Sequence, residues 1–332
     1  MSVALLGVLV LLAIGECIVR AVRSPNFLHP VARNRSDPWR TDVHQRSSTP
    51  GLDYELRPGA ISTQRGVEIA VNSAGLRGPD IRDPRAPGSF RLLVLGDSVS
   101  FGLGVQERDT WPRVLESRLR VARPELDIEV LNHSVSGYGT LDEALVLEAR
   151  IDVLQPDLVV LGYCLNDPEQ APIQGLRAYF HEAAVWQHSA LARLVASTLR
   201  ERAIARSGDT IRWLHEPRGD SWTVVRESLM RIERTASVRG VPVLVAVFPM
   251  FGPHDRWADY PWSDVNAFVA AESHSVGFGT IDILSAYAGS GLTPVELRVD
   301  ESHASAEGHA LAAETIAALL LAEPARWLAR RP

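Results

Sequence analysis

Lysine is absent from the 332 residues, and all 34 basic side chains are arginines. No lysine Schiff base can therefore form, and a Walker-type phosphate loop, which needs a lysine on the phosphates, cannot be completed. Cysteine is nearly as scarce. Cys17 lies in an apolar N-terminal run and Cys164 far from it, so no intrachain disulfide is expected, neither has metal-ligand spacing, and the redox compartment stays open. Excess basic charge is also missing: a net charge of -6 and a pI near 5.9 give no electrostatic basis for a nucleic-acid partner. Internal repeats and low-complexity blocks are lacking too. What is present, 46% hydrophobic and 22% charged residues, suits a globular chain with a sizeable core.

Residues 2–19, SVALLGVLVLLAIGECIV, come close to the minimum length of a membrane-spanning helix, and no small-x-small cleavage site follows. Residues 1–20 are read as a retained single-pass anchor, the alternatives being a cleaved signal peptide or a buried core helix. Glu16 ahead of Cys17 does not suit a lipidation box. Arg20, Arg23, Arg33 and Arg35 follow the span, which by charge alone leaves the main domain in the cytoplasm. Residues 21–50, rich in Pro, Arg, Ser and Asp, are expected to be a spacer or an ordered arm. Residues 51–89 contain the strand-and-turn pattern VEIAVNSAGLRGPDI and are expected to pack on the domain that follows.

From Phe90 to about residue 325, short apolar strands alternate with helical stretches. RLLVLGD, 128–134, 156–164, 241–249 and 279–284 read as strands, and 110–122 carries apolar residues at helical spacing. This predicts a three-layer α/β/α sandwich around a mainly parallel five-stranded sheet, with a site outside the carboxyl ends of the strands. Polar clusters stand at those ends: Gly96-Asp97-Ser98, then NHSVSGYGT, then CLNDPE. Residues 168–225 fit no such pattern, and their apolar helical stripe suits either a cap or plain packing helices.

Four segments in order, LGDSVSFGLGV, NHSVSGYGT, LNDP and DESH, resemble the blocks of the SGNH (GDSL) hydrolase family across Phe90 to Ala322. The resemblance implies the flavodoxin-like SGNH fold over residues 90–325, with Ser98 as nucleophile, His303 as base and Asp300 orienting it. It also implies an oxyanion hole from the backbone of Ser98 and Gly137 and the amide of Asn166. These residue types suit the chemistry, because a serine hydroxyl is a weak nucleophile until an oriented imidazole takes its proton. One departure stands in the third block, where Cys164 replaces a glycine and Gly162 lies further back. At an apolar strand end Cys164 reads as an inert thiol.

The implied activity is hydrolysis of an acyl ester, O-acetyl or another small acyl group on a glycan or small molecule, through an acyl-enzyme. No cofactor or metal is expected. Acyl transfer to a glycan and a non-catalytic glycan-binding domain are the alternatives. Because the family is largely secreted or envelope-bound, the resemblance leans to an extracytoplasmic domain, against the arginine distribution. His133 and His309 read as structural and Ser305 as a helix N-cap. Trp186, Trp213, Trp222 and PHDRWADYPW could line a substrate site or simply pack.

Overall fold

The computed structural model describes residues 3–22, 42–64, 66–169, 175–180 and 185–330. Helix α1 (Val3–Val22) is followed by two antiparallel hairpins, β1 (His44–Arg46) with β2 (Tyr54–Leu56), and β3 (Ile61–Gln64) with β4 (Val67–Ala70). Then come β5 (Ser89–Gly96), α2 (Ser98–Phe101), α3 (Trp111–Ala122), β6 (Asp127–Ser134), α4 (Thr140–Leu154) and β7 (Leu158–Cys164). The chain continues through α5 (Gly175–Phe180), α6 (Ala190–Ser207), α7 (Thr210–Leu214), α8 (Asp220–Ser237), β8 (Val243–Phe248) and α9 (Ser263–Val276). It ends with β9 (Gly279–Asp282), α10 (Ile283–Gly289), α11 (Ala306–Ala322) and α12 (Pro324–Trp327).

Strands β6-β5-β7-β8-β9 form one five-stranded parallel sheet in that order. The run FRLLVL shows why β5 is central: it is apolar on both faces, as a strand covered on both sides must be. Leu92 and Val94 join a core with Trp111, Leu115 and Ile316 of α3 and α11. Leu93 and Leu95 join the opposite core with Leu147, Trp222 and Leu229 of α4 and α8. The order reverses at β5, and Gly96 pairs with Ser134 on one side and Gly162 on the other, so β5 and β6 end level while β7 runs on to Cys164. Such a reversal opens the crevice in which doubly wound folds place their sites.

The expected spacer gives way to structure before residue 50. Residues 23–41 lie outside the described residues, but His44–Arg46 pairs with Tyr54–Leu56, a strand that HQR does not advertise by alternation. The turn expected after VEIAV is held by Asn72, whose Oδ1 accepts the backbone N–H groups of Ala74 and Leu76 at 3.0 and 2.9 Å.

Helix α1 is long and apolar enough to cross a membrane. Glu16 near its end accepts hydrogen bonds from Ala190 N, Leu191 N and Ser189 Oγ at 2.8–2.9 Å, so its carboxylate caps α6. Helix α6 lies against α1 and α7, and Ala190 is its one fully buried residue among those described.

Candidate active site

Strand β5 stops because Asp97 cannot extend it. With φ −93° and ψ −149° it leaves the strand geometry and caps α2, its Oδ1 accepting from Val99 N at 2.8 Å. Ser98 thereby becomes the first residue of a short helix. Gly102, in the left-handed region at φ 80°, ends that helix within one turn and returns its N–H to Ser98 O at 3.0 Å.

Ahead of helix α11, the second piece of the site is a turn closed by Asp300. Its Oδ1 accepts the backbone N–H groups of Ser302 and His303, each at 2.9 Å, and the same carboxylate lies 2.8 and 3.0 Å from His303 Nδ1. A carboxylate only accepts, so Nδ1 carries the donated hydrogen and Nε2 is left to accept. His303 Nε2 stands 2.9 Å from Ser98 Oγ across 205 residues of chain. The turn is latched from outside by Gly252 N, which donates to Glu301 O at 2.9 Å, and by the Arg298 guanidinium on Gly252 O. Ser305 caps α11 through Gly308 N, the capping role expected from its position.

The loops after β6 and β7 complete the rim. Gly137 lies in a four-residue turn closed by Tyr138 N to Val135 O at 3.1 Å. Its φ is +81°, and a Cβ there would stand 2.7 Å from the Tyr54 hydroxyl, so both backbone shape and space require glycine. Asn166 Nδ2 donates to Asp97 Oδ2 at 3.2 Å, which brings it beside the nucleophile turn. Cys164 is a buried free thiol whose pKa burial raises well above the usual range, the state of an inert side chain. The glycine that matters for packing is Gly162, where a Cβ would meet Ser100 Oγ at 2.0 Å.

Behind the rim lies a buried carboxyl layer that the residue pattern does not announce. Burial raises the pKa of Asp97, Glu143 and Asp167, reinforced for Glu143 by Asp97 and for Asp167 by Glu143. His309 is held neutral, burial first and the Arg77 charge second lowering its pKa to about 3, and its Nδ1 accepts from Trp111 N at 3.2 Å. Burial lowers His133 to about 4. Trp222 is buried among core residues, while Trp257 and Trp262 spend their indole N–H groups on Leu292 O and Asp209 Oδ2. Trp213 lies under the Arg200 guanidinium, and Trp186 is half exposed.

Two residues outside the quoted blocks reach the same loops. Arg77 is buried, stacks over Phe101, and donates to the carbonyls of Phe101, Gly102 at 2.6 Å and Val105 at 2.8 Å. Tyr54 from β2 donates its hydroxyl to Ser136 O at 2.8 Å. A lone tyrosine in YEL and an arginine after a turn carry no spacing signal, and only the three-dimensional contact reveals them.

A family model for the GDSL-like lipase/acylhydrolase family matches residues 94–311. The chain belongs to that family. Ser98, Gly137, Asn166, Asp300 and His303 of this GDSL-like hydrolase all fall within the match. The hydrolase is 37% identical over 79 residues to an arylesterase from Vibrio mimicus, a match covering 24% of this chain and 38% of that protein. The crystal structure of TesA aligns with a TM-score of 0.41 at 22% identity, covering 69% of this chain and 97% of that one. A catalytic mutant of Axe2, an acetylxylan esterase from Geobacillus stearothermophilus, aligns with a TM-score of 0.46 at 16% identity, covering 69% and 93%.

Proposed function

We propose that this GDSL-like hydrolase is a serine esterase that cleaves an acyl ester through a covalent acyl-enzyme, with O-acetyl and other small acyl groups on a glycan or small molecule as its substrates. The observation that carries the reading is the continuous chain from Ser98 Oγ to His303 Nε2 at 2.9 Å and from His303 Nδ1 to Asp300 at 2.8 Å. The arylesterase name of the partial relative supports an ester as the bond.

Ser98 Oγ attacks the ester carbonyl carbon while His303 Nε2 takes the hydroxyl proton, and the carbonyl electron pair moves onto oxygen. The resulting oxyanion is held by the backbone N–H groups of Ser98 and Gly137 and by the Asn166 amide. Collapse breaks the ester C–O bond, and the imidazolium returns its proton to the departing alkoxide, which leaves as an alcohol. Water then attacks the acyl-enzyme with His303 again as base, releasing the acid and restoring Ser98. Asp300 holds the ring in the tautomer that leaves Nε2 free and stabilises the imidazolium of both half-reactions. Helix α1 is the proposed membrane anchor, on the strength of its length and apolar surface.

A fluorophosphonate probe tests the covalent step. Labelling is expected at Ser98 and lost in Ser98→Ala, and unchanged labelling of that variant would sink the assignment. An ester panel of graded acyl length beside acetylated glycans then reads the substrate class, and acetyl release followed with and without a glycan acceptor separates hydrolysis from transfer.

A further inference from the structure

Ser136 C=O and Gly137 N–H belong to one peptide group. That group is the middle of the Val135–Tyr138 turn, closed at 3.1 Å, and Gly137 at φ +81° gives the turn the type II form. Type I and type II turns differ by a rotation of this central peptide. In one form the N–H faces a given side of the loop, and in the other the carbonyl oxygen does. Glycine at the third position adopts both forms, so nothing within the turn itself selects one.

What selects it lies 82 residues away. The Tyr54 hydroxyl donates to Ser136 O at 2.8 Å from a side chain that is 1% exposed. The ring is clamped on several sides: stacked on Phe180 at 5.3 Å, edge-on to Tyr138 at 5.4 Å and to His44 at 5.8 Å. Its backbone is held by Tyr138, whose hydroxyl donates to Tyr54 O at 2.6 Å. A hydroxyl so fixed leaves the carbonyl one favourable direction and the N–H the opposite one. The bond to the carbonyl also polarises the amide and strengthens the N–H as a donor.

We propose that Tyr54 is a positioning residue for the esterase reaction: its hydroxyl locks the Ser136–Gly137 peptide with the Gly137 N–H turned to the oxyanion. This rests on the reading of Gly137 as an oxyanion donor. It assigns a mechanistic role to the β1–β2 hairpin, which lies wholly outside the residues matched by the family model. Without the hydroxyl the peptide is free to turn, and the turned state presents a carbonyl oxygen where a donor is needed. The donor itself survives, so the loss is smaller than the roughly hundredfold to thousandfold cost of deleting one.

The test is Tyr54→Phe in the full chain. kcat is expected to fall about tenfold to a hundredfold with KM moving less than about twofold, because the interaction strengthens only as the oxyanion forms. Affinity for a boronic acid that mimics the tetrahedral species should fall by the same factor as kcat/KM. A kcat within about twofold of the parent, or a loss that appears equally in KM, overturns the proposal. As a second variant, 3-fluorotyrosine installed at position 54 keeps the ring and makes the hydroxyl a stronger donor; kcat at or above the parent supports the role, and a tenfold drop refutes it. Ser98→Ala separates the two levels of the argument. If it is inactive while Tyr54→Phe is normal, the lock alone fails; if it retains activity, the oxyanion reading and the lock fail together.

Discussion

The side-chain amide of Asn166 donates to Asp97 Oδ2 at 3.2 Å, tying the loop after β7 to the residue that immediately precedes Ser98. One N–H of the amide is spent on this contact, and the other is the proposed oxyanion donor. If that second N–H acts only in the transition state, Asn166→Ala should lose about a hundredfold to a thousandfold in kcat with little change in KM. The measurement is steady-state kinetics beside a melting curve. A fall in melting temperature together with the activity would reduce Asn166 to a brace for the loop.

Asp300→Asn keeps the size of the side chain and Oδ1, which accepts the Ser302 and His303 backbone N–H groups and lies 2.8 Å from His303 Nδ1, but replaces Oδ2, 3.0 Å from the same Nδ1, with an amide donor and removes the negative charge. The ring then loses the negative partner of its imidazolium and one of the two acceptors facing Nδ1. kcat is expected to drop about a thousandfold to ten-thousandfold at neutral pH with the fold intact. Burst kinetics with a chromogenic ester would locate the loss in acylation, and a variant as active as the parent would remove Asp300 from the site.

The strand ends and their chemistry were legible in residue order because acyl transfer needs particular side chains at β-to-α turns, and a parallel sheet brings those turns together. Ser98 after β5, Gly137 beyond β6 and Asn166 after β7 stand at such turns, whereas Asp300 and His303, which follow α10, are read from their resemblance to a family block. The hairpin contacts could not. Tyr54 and Arg77 reach the loops by hydrogen bonds to backbone carbonyls, one and three respectively, and a carbonyl has no residue identity from which to infer a partner. The start of β1 inside a Pro- and Arg-rich stretch was equally hidden, since HQR becomes a strand only through its pairing with YEL.

Glu143 is 1% exposed, and both its carboxyl oxygens lack a hydrogen-bond partner among the described residues. Burial, then Asp97 and Asp142, raises its pKa in the folded protein. A raised folded pKa means the folded state holds its proton more tightly than the unfolded chain. The associated stability is present at low pH and is lost as pH rises from about 4.5 through the folded value. Glu143→Gln removes that dependence. Its melting temperature relative to the parent should therefore climb as pH rises above about 4.5 and level off once the folded pKa is passed, and a pH-independent difference would contradict the buried neutral carboxyl.

Arg77→Met should be costly although it keeps the length of the stem. Three buried carbonyls, those of Phe101, Gly102 and Val105, lose a charged donor at once. The expected loss is about 2–4 kcal/mol in urea unfolding, with weaker fluorophosphonate labelling because the loop behind Ser98 loosens. Unaltered stability would mean that water replaces the guanidinium without penalty.

For the whole chain in cells, membrane fractionation should retain the protein through α1. Proteinase added to intact spheroplasts is expected to digest the hydrolase domain. Protection until lysis would place the domain on the cytoplasmic side, as the arginines after the span favour.

His303 and Asp300 sit on one short turn, and the 2.9 Å contact with Ser98 joins that turn to the end of β5. That contact is a seam between base and hydroxyl. A disturbance of the latch at Gly252 or Arg298 carries base and carboxylate away together, leaving the pair itself intact. Misalignment of this kind lowers the fraction of molecules ready to react without altering the chemistry of those that are. Where the misaligned state outlasts a turnover, an active-site titration registers fewer competent sites, each with its ordinary rate.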